Sequence, residues 1–384
     1  MSVIWNPRLA EADERLRKVA QMLSDEHFSV NAAAIDREAR YPQEHVDLLV
    51  EHGLAAMFVP SRYGGQDASL AATCAVAEEI SRGCAATAAV FSTYVLGAFP
   101  LVMAGTEEQC ERYLGGLARG TAVSFALTER DAGSDASAIE TVAEPEGEGF
   151  RIRGEKWFIG NGGASQHYVV FAVTDPDAGP RGISAFMVDR DADGAVIDHY
   201  EDKMGIRGAL TSNLKLDTWV PAEAMIGERG RALRLALGTL NVGRITVGAQ
   251  ATGIALAAYD EAAPRAASRV SFGKPILEHQ GIGFPMADLA TELSAARMML
   301  YEAASAYDRG EDVRTLGAMA KLYTSEVSHR AVDVAVQVFG GYGFCKPYAV
   351  ERLYRDQRII ELYEGTSEIQ RLVIARAIGQ EVAA

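Results

Sequence analysis

The spacing of apolar residues changes twice along the chain, and this change limits the possible folds more than any single motif does. Near the N-terminus apolar residues recur at helical intervals, as at Leu9, Ala12, Leu16 and Val19. In the middle of the chain they alternate with polar residues, as in residues 212–219, and the helical interval then returns. The chain of 384 residues is long enough for two or three domains.

We therefore predict an α+β multidomain protein. An N-terminal α-helical domain covers residues 1–120, a middle β-barrel-like domain covers 121–229, and a C-terminal four-helix bundle covers 230–384. A cleft between the sheet and the bundle is a usual place for a ligand. The predicted strands lie at 150–153, 167–173, 183–188 and 212–219, and the predicted C-terminal helices at 231–262, 280–307, 313–340 and 367–378.

Composition limits the classes of partner and the cellular compartment that we expect. A net charge of −15 argues against nucleic acid or an anionic membrane as the main partner. Gly83 to Thr106 carries no charge and could span a bilayer, but its Ala, Gly, Thr and Ser content and Pro100 favour a helix buried in a soluble bundle, without membrane insertion. The four cysteines show no metal-binding spacing and the N-terminus no signal peptide, so we expect a cytoplasmic protein without a metal site.

One C-terminal stretch, Glu361 to Arg371, combines a carboxylate with a helix start. Glu364 is followed by Gly365, and Thr366-Ser-Glu368 then precedes an apolar pattern of helical spacing. The pattern predicts a tight turn at Glu364 immediately before a helix, where a glycine allows a ligand to approach closely. A plain surface capping segment explains these residues equally well when they are taken alone.

Four other stretches could contact a ligand, and each has an ordinary structural explanation. They are a strand end with a polar turn, aromatics beside glycines, an arginine beside a helix end, and glycines that close a helix. The alternatives, in the same order, are an ordinary β-turn, a strand with buried aromatics, a solvated helix end and a helix cap. The stretches are residues 125–135, 156–163, 269–280 and 337–343.

In order and spacing, these residues together resemble the acyl-CoA dehydrogenase family from about residue 10 to residue 379, most specifically over Gly340 to Arg376. The resemblance implies the same three-domain fold, FAD as cofactor, and a homotetramer built as a dimer of dimers. It implies an acyl-CoA or acyl-carrier-protein substrate and an electron-transfer flavoprotein as the electron acceptor.

Carried over by position, the resemblance also implies which residues bind the cofactor and the substrate. Phe158 stands where many members have tryptophan, Gly160 where many have a hydroxyl residue, and Arg130 replaces a common proline. Arg269, Phe272, Gln280 and the Gln337 stretch would reach the FAD of a neighbouring subunit. The cofactor set is Phe125, Leu127, Thr128, Ser134, Phe158, Ile159, Gly160, Arg269, Phe272, Gln280, Gln337, Gly340, Gly341, Thr366 and Glu368. The substrate set is Ser134, Asn241, Arg244, Tyr363 and Gly365, with Asn241 to Arg244 as a turn.

The implied reaction needs a base. A proton leaves the carbon beside a thioester carbonyl, so hydrogen bonds must meet the charge that grows on the carbonyl oxygen, and a carboxylate must lie within reach in a dry site. The resemblance assigns the base to Glu364 and an oxygen contact to its backbone N–H. In one branch of the family the base lies at the position of Gly243, which carries no side chain here.

The sequence leaves three functions open. The first is dehydrogenation of an acyl thioester to the 2,3-enoyl thioester, the second is a flavin-dependent oxidase or monooxygenase reaction that uses oxygen, and the third is flavin binding without catalysis. The presence of Glu364 argues against the third. Phe91, Tyr94 and Leu96 are expected to form the floor of a short or medium acyl pocket, unless they face another core layer.

Overall fold

The computed structural model describes residues 3–383. The first part of the chain is helical, and α1 and α2 form one long helix joined by a π-helical segment, Ser24–Phe28. Ser69 caps α4 by accepting the Ala72 N–H at 2.9 Å, which satisfies one of the free donors of a helix start. The helices are α1 (Glu11–Leu23), α2 (Ser29–Glu38), α3 (Gln43–Glu51), α4 (Leu70–Gly83), α5 (Ala85–Ala104), α6 (Glu107–Gln109) and α7 (Gly115–Leu117).

The middle part forms one eight-stranded sheet of order β6-β7-β3-β2-β4-β5-β8, with β1 paired in parallel to β4. Because side chains alternate along a strand, each β4 residue contributes to one of two cores. Val169 and Phe171 pack with the helices, whereas Tyr168 and Val170 join a separate core within the sheet domain. The strands are β1 (Val123–Ala126), β2 (Val142–Glu146), β3 (Gly149–Gly160), β4 (His167–Val173), β5 (Ile183–Asp189), β6 (Ala195–Tyr200), β7 (Thr211–Pro221) and β8 (Met225–Ile226).

The last part returns to helices, interrupted by a small hairpin of β9 and β10. Helix α8, of 37 residues, packs against α4, α5, α9 and α10, so it lies at the centre of the molecule. The elements are α8 (Ala232–Ser268), β9 (Val270–Ser271), β10 (Lys274–Pro275), α9 (Gln280–Asp308), α10 (Arg314–Phe339), α11 (Ala349–Gln357) and α12 (Ser367–Ala383).

The predicted order of helical, β and helical regions is confirmed, with two local corrections in the C-terminal region. Residues 241–244 do not form a turn but lie inside α8, because packing on every side outweighs the turn preference of Asn and Gly. Helix α11 was not predicted, since its nine residues are mostly polar or charged, and it packs against α8 and α10.

Helix α5 is the uncharged segment, and it positions the site by contacting both the sheet and α8. By length and composition it could cross a membrane, but 78% of its most apolar window is buried inside the protein. Gly97 lies against β1, where any side chain would overlap the Val123 carbonyl oxygen. The prediction of a buried helix is therefore confirmed, and glycine at position 97 sets the close approach of α5 to the sheet.

Candidate active site

The turn that carries Glu364 has the predicted position and an unusual backbone. Glu364 has φ +54° and Gly365 φ +89°, so two successive residues are left-handed, which for glutamate is uncommon. The next residue, Thr366, accepts the Ile369 N–H on its hydroxyl at 3.3 Å, and α12 begins at Ser367. The prediction of a tight turn immediately before a helix is confirmed.

Buried side chains from three helices hold this turn by its backbone and by its tyrosine. The Gly365 carbonyl accepts Lys321 Nζ of α10 at 2.9 Å and Gln370 Nε2 of α12 at 2.8 Å. The Tyr363 hydroxyl donates to Gln250 Oε1 of α8, and Gln250 in turn donates to the Ala85 carbonyl at the start of α5. The unusual turn is thus fixed from outside rather than by its own preference.

The Glu364 carboxyl group is not engaged by any of these contacts. Its Oε2 atom is buried and has no hydrogen-bond partner, and among residues 3–383 no ion pair includes it. Burial raises the pKa of Glu364 to about 7, an increase that the charges of Arg244 and then Lys321 oppose. A carboxyl group with a pKa near neutrality and no partner is available to exchange a proton.

Arg244 and Asn241 lie on α8 beside this carboxyl group. Arg244 is 6% exposed, donates through Nη1 to Asn241 Oδ1 at 3.0 Å, and leaves its Nε without a partner. Burial lowers its pKa, against the attraction of Glu364, although guanidinium stays charged under all ordinary conditions. The unpaired, buried donor is available to a polar ligand.

Two glycines show where the walls of the site meet. A side chain at Gly243 would begin 2.6 Å from Glu364 Oε2 and 3.1 Å from Leu96 Cδ1 of α5. A side chain at Gly160, the end of β3, would begin 2.9 Å from the Thr93 hydroxyl, one turn earlier on α5. The end of β3 and the Glu364 turn therefore lie about one helical turn apart along α5.

The sheet side of the site consists of β1 and the end of β3. Phe158 has φ +58°, interrupts the pairing of β3 with β7, and donates its N–H to Asn213 Oδ1 at 3.1 Å; the residue is 58% exposed. Ile159 points the other way into the sheet core, so only its backbone could contact a cofactor. Phe125 packs on Phe171, Leu127 is buried, and Thr128 accepts the Trp157 N–H at 2.8 Å.

A buried ion pair behind these residues was not predicted. Lys156 is fully buried and donates to Glu129 Oε1 at 2.7 Å and to the Leu127 carbonyl at 3.2 Å. Glu129 also accepts the N–H groups of Glu140 and Thr141 at 2.6 and 3.0 Å. Burial opposes the charge on Glu129, but Lys156 and these donors outweigh it and lower its pKa. The pair closes the loop that follows β1.

The remaining predicted cofactor residues are exposed, and those at the ends of α8 and α10 lie far along these helices from the Glu364 turn. Arg269 ends α8, Phe272 is 96% exposed at the tip of the β9–β10 hairpin, and Gln280 begins α9. Arg265 lies 5.3 Å from the ring of Phe339 and joins the end of α8 to the end of α10. Gln337, Gly340 and Gly341 are exposed at that end of α10, and Ser134 and Glu368 are exposed elsewhere.

The expected floor of the acyl pocket needs correction. Phe91 and Tyr94 are 1% and 3% exposed and belong to the helical core, because they lie on the faces of α5 that pack against other elements. Leu96 is partly exposed and faces Gly243, so of the three it alone remains a candidate for the pocket wall.

Comparisons with known proteins cover nearly the whole chain. Three family profiles match in order: acyl-CoA dehydrogenase, N-terminal domain, at residues 10–121, the middle domain at 124–219, and the C-terminal domain at 230–379. The probable acyl-CoA dehydrogenase FadE25 of Mycobacterium tuberculosis is 40% identical over 374 residues, which cover 97% of this chain and 96% of that protein.

Solved structures agree with the family profiles. Butyryl-CoA dehydrogenase from Megasphaera elsdenii is 37% identical, with a TM-score of 0.95 over 97% of this chain and 100% of that chain. The prolyl acyl carrier protein oxidase AnaB is 28% identical, with a TM-score of 0.93 over 97% of this chain and 100% of that one. The chain therefore belongs to the acyl-CoA dehydrogenase family.

Proposed function

We propose that this chain is an FAD-dependent dehydrogenase that converts an acyl thioester, on CoA or on an acyl carrier protein, to the 2,3-enoyl thioester, with Glu364 as the base. The observation that carries the proposal is the Glu364 carboxyl group, whose Oε2 atom is buried without a hydrogen-bond partner and whose pKa is raised by burial to about 7. Such a group can accept a proton near neutral pH, which an ordinary surface glutamate does poorly.

The residues present fit FAD. Phe158 is an exposed aromatic residue against which a flat ring can stack, and at the neighbouring Gly160 the absence of a side chain lets the Thr93 hydroxyl lie close to the backbone, where it can donate to a polar ligand atom. When bound, FAD accepts the hydride that leaves the substrate. Gln337, Gly340, Gly341 and Arg269 would hold the cofactor of a neighbouring subunit, and their exposure supports this assignment.

The turn would perform both polar tasks of the reaction. Within residues 3–383 the Glu364 N–H makes no hydrogen bond, so it is free to donate to a thioester carbonyl oxygen as negative charge grows there. The Glu364 carboxylate would take the proton from the adjacent carbon. Leu96 would exclude water from one side, and the absence of a side chain at Gly243 lets the Glu364 carboxyl group lie against α8.

The assembly and partners form part of the same proposal. We infer a homotetramer, a dimer of dimers, in which exposed Phe272 and Arg269 meet a second copy. We infer an electron-transfer flavoprotein as the electron acceptor and a reducing compartment such as the cytoplasm. The four cysteines are all free, which is consistent with such a compartment.

A second function is oxidation of an acyl thioester with oxygen as the electron acceptor. The similarity to AnaB, whose name describes a carrier-protein oxidase, favours keeping it. It uses the same base and differs only in what reoxidises the flavin, so the reaction with oxygen separates the two.

Anaerobic mixing of the purified holoenzyme with a panel of acyl-CoAs and acyl-carrier proteins tests the proposal. Rapid loss of the oxidised flavin absorbance by at least one substrate is expected, and absence of bleaching with every member would contradict it. Admission of air then separates the two functions: slow recovery of the absorbance indicates a dehydrogenase, whereas fast recovery with hydrogen peroxide indicates an oxidase.

A further inference from the structure

Lys321 is a fully buried lysine in the middle of α10. It lies in line with Gly317, Thr324 and Ser328, small residues at helical intervals that let neighbouring helices pack closely. Its ammonium group donates to the Gly365 carbonyl at 2.9 Å, and among residues 3–383 it belongs to no ion pair within 4.0 Å. A buried charge without an ion pair is costly, so its position calls for a reason beyond packing.

Four charged groups face Lys321 from the elements around it. Burial lowers the pKa of Lys321 to about 8, opposed by the attraction of Glu364 and then of Glu361, while Arg244 adds to the lowering and Glu368 opposes it weakly. At neutral pH the ammonium group is therefore still mostly charged. Within residues 3–383, the charges that act on the pKa of Glu364 are those of Arg244 and Lys321.

We propose that Lys321 is a positioning residue for the Glu364 base: it holds the left-handed turn by the Gly365 carbonyl and places a positive charge beside the carboxylate without pairing to it. A direct ion pair would occupy the carboxylate oxygens and hold the base in an inactive state. Binding to the backbone instead leaves those oxygens free. This inference rests on the proposed function of Glu364.

Gln370 makes it possible to separate the charge from the hydrogen bond. It donates to the same Gly365 carbonyl at 2.8 Å and to the Glu364 carbonyl at 3.3 Å, but carries no charge. Removal of Lys321 therefore leaves the turn with one of its two donors. Removal of Gln370 leaves the charge in place.

The test is a pH titration of Glu364 in the holoenzyme without substrate. Infrared spectroscopy follows the carbonyl band of the protonated carboxylic acid, and the band of Glu364 is the one that disappears in Glu364→Gln. Lys321→Gln keeps a donor and loses the charge, and it should raise the pKa of Glu364 by roughly one pH unit, a tenfold change in proton affinity. Lys321→Arg keeps the charge and should leave the pKa near the wild-type value. Gln370→Leu should also leave it unchanged.

A second neutral variant, Lys321→Met, suits the buried position better and covers the case in which the glutamine variant does not fold. An unchanged Glu364 pKa in the folded neutral variant would overturn the proposal and leave Lys321 a packing residue. Flavin reduction by an acyl-CoA should show the same displacement in the acid limb of its pH profile. A displaced infrared pKa with an unmoved kinetic limb would sustain the role of Lys321 and instead contradict Glu364 as the base.

Discussion

Two regions of the molecule differ in how many of their polar groups find partners within the chain: the turn around Glu364, and the exposed ends of α8 and α10. The turn is held by Lys321, Gln250 and Gln370, and its backbone hydrogen bonds lie inside the molecule. At the other end Arg269 and Phe272 stand in solvent with few contacts. The comparison teaches that one chain supplies every contact that holds the Glu364 turn, whereas the exposed end has free residues that, on the function proposed above, a second subunit would use.

The largest expected effect is on the rate of flavin reduction, through a substitution in the Glu364 turn. Glu364→Gln keeps the size and hydrogen-bonding capacity of the side chain but removes the base, so flavin reduction should slow by at least about a hundredfold while FAD content stays normal. Stopped-flow absorbance measures the rate. Glu326→Gln, at a surface ion pair with Arg371, is the matched control and should change nothing. Full activity of Glu364→Gln would mean that another group is the base.

Substitutions at the exposed ends of α8 and α10 should weaken the binding of FAD rather than slow flavin reduction. Arg269→Ala removes a charge-assisted contact worth about 1.5–3 kcal/mol, which corresponds to a roughly 10- to 150-fold weaker affinity for FAD. Release of fluorescent FAD on dilution measures it, and sedimentation reports the assembly state. Arg314→Ala, an exposed arginine paired with Asp312, serves as control. A wild-type monomer that retains all its flavin would refute the shared-site interpretation.

The position of Gly243 on α8, facing Glu364, allows a test in which the carboxylate is moved from the turn to the helix. Gly243→Glu in the Glu364→Gly background should react about tenfold faster than Glu364→Gly alone, because a side chain at 243 begins 2.6 Å from the position of Glu364 Oε2 and can bring a carboxylate to the same region. Glutamate also favours a helix more than glycine does. Gly243→Gln in the same background has the same size without a base, and rescue by it would show that the effect is not proton transfer.

The smallest expected effect concerns stability and pH. Because the pKa of Glu364 is raised from 4.5 to about 7, the folded state holds a proton that the unfolded state has lost between these values. Stability should therefore fall as the pH rises from about 4.5 to 7, by at most on the order of 3 kcal/mol. The apparent melting temperature of Glu364→Gln should match wild type near pH 4.5 and exceed it by a few degrees at pH 8. Equal curves at both pH values would mean that the carboxyl group is well solvated.

The sequence predicted the order of the three regions and the Glu364 turn, because both depend on local patterns. Apolar periodicity marked the long helices, and the Thr366 capping pattern marked the start of α12. Strands β2, β6 and β8 were not predicted, since they are short or lie at exposed positions where alternation is weak. The domain limits at 120 and 229 and the residue assignments of the site stay predictions.

Residues that support the site were missed for a different reason. Lys321, Lys156 and Gln250 are polar residues within helical or strand patterns, and such residues usually face solvent. Their burial depends on what packs across from them, which local spacing does not reveal. The small residues in line with Lys321 were the available signal. Phe91 and Tyr94 were expected to line a pocket but are buried in the core, because the size of a side chain does not tell what its face of the helix packs against.

Helix α8 connects the two halves, and its length sets their separation. The 26 residues from Gly243 to Arg269 span about 39 Å at 1.5 Å each, in one continuous helix. Each inserted residue would lengthen the helix by about 1.5 Å and turn its end by about 100°, so even a single insertion would point Arg269 in a different direction relative to the Glu364 turn. Along one helix, the distance and the rotation angle between the Glu364 turn and Arg269 can therefore change only together, whereas a connecting loop would let each change alone.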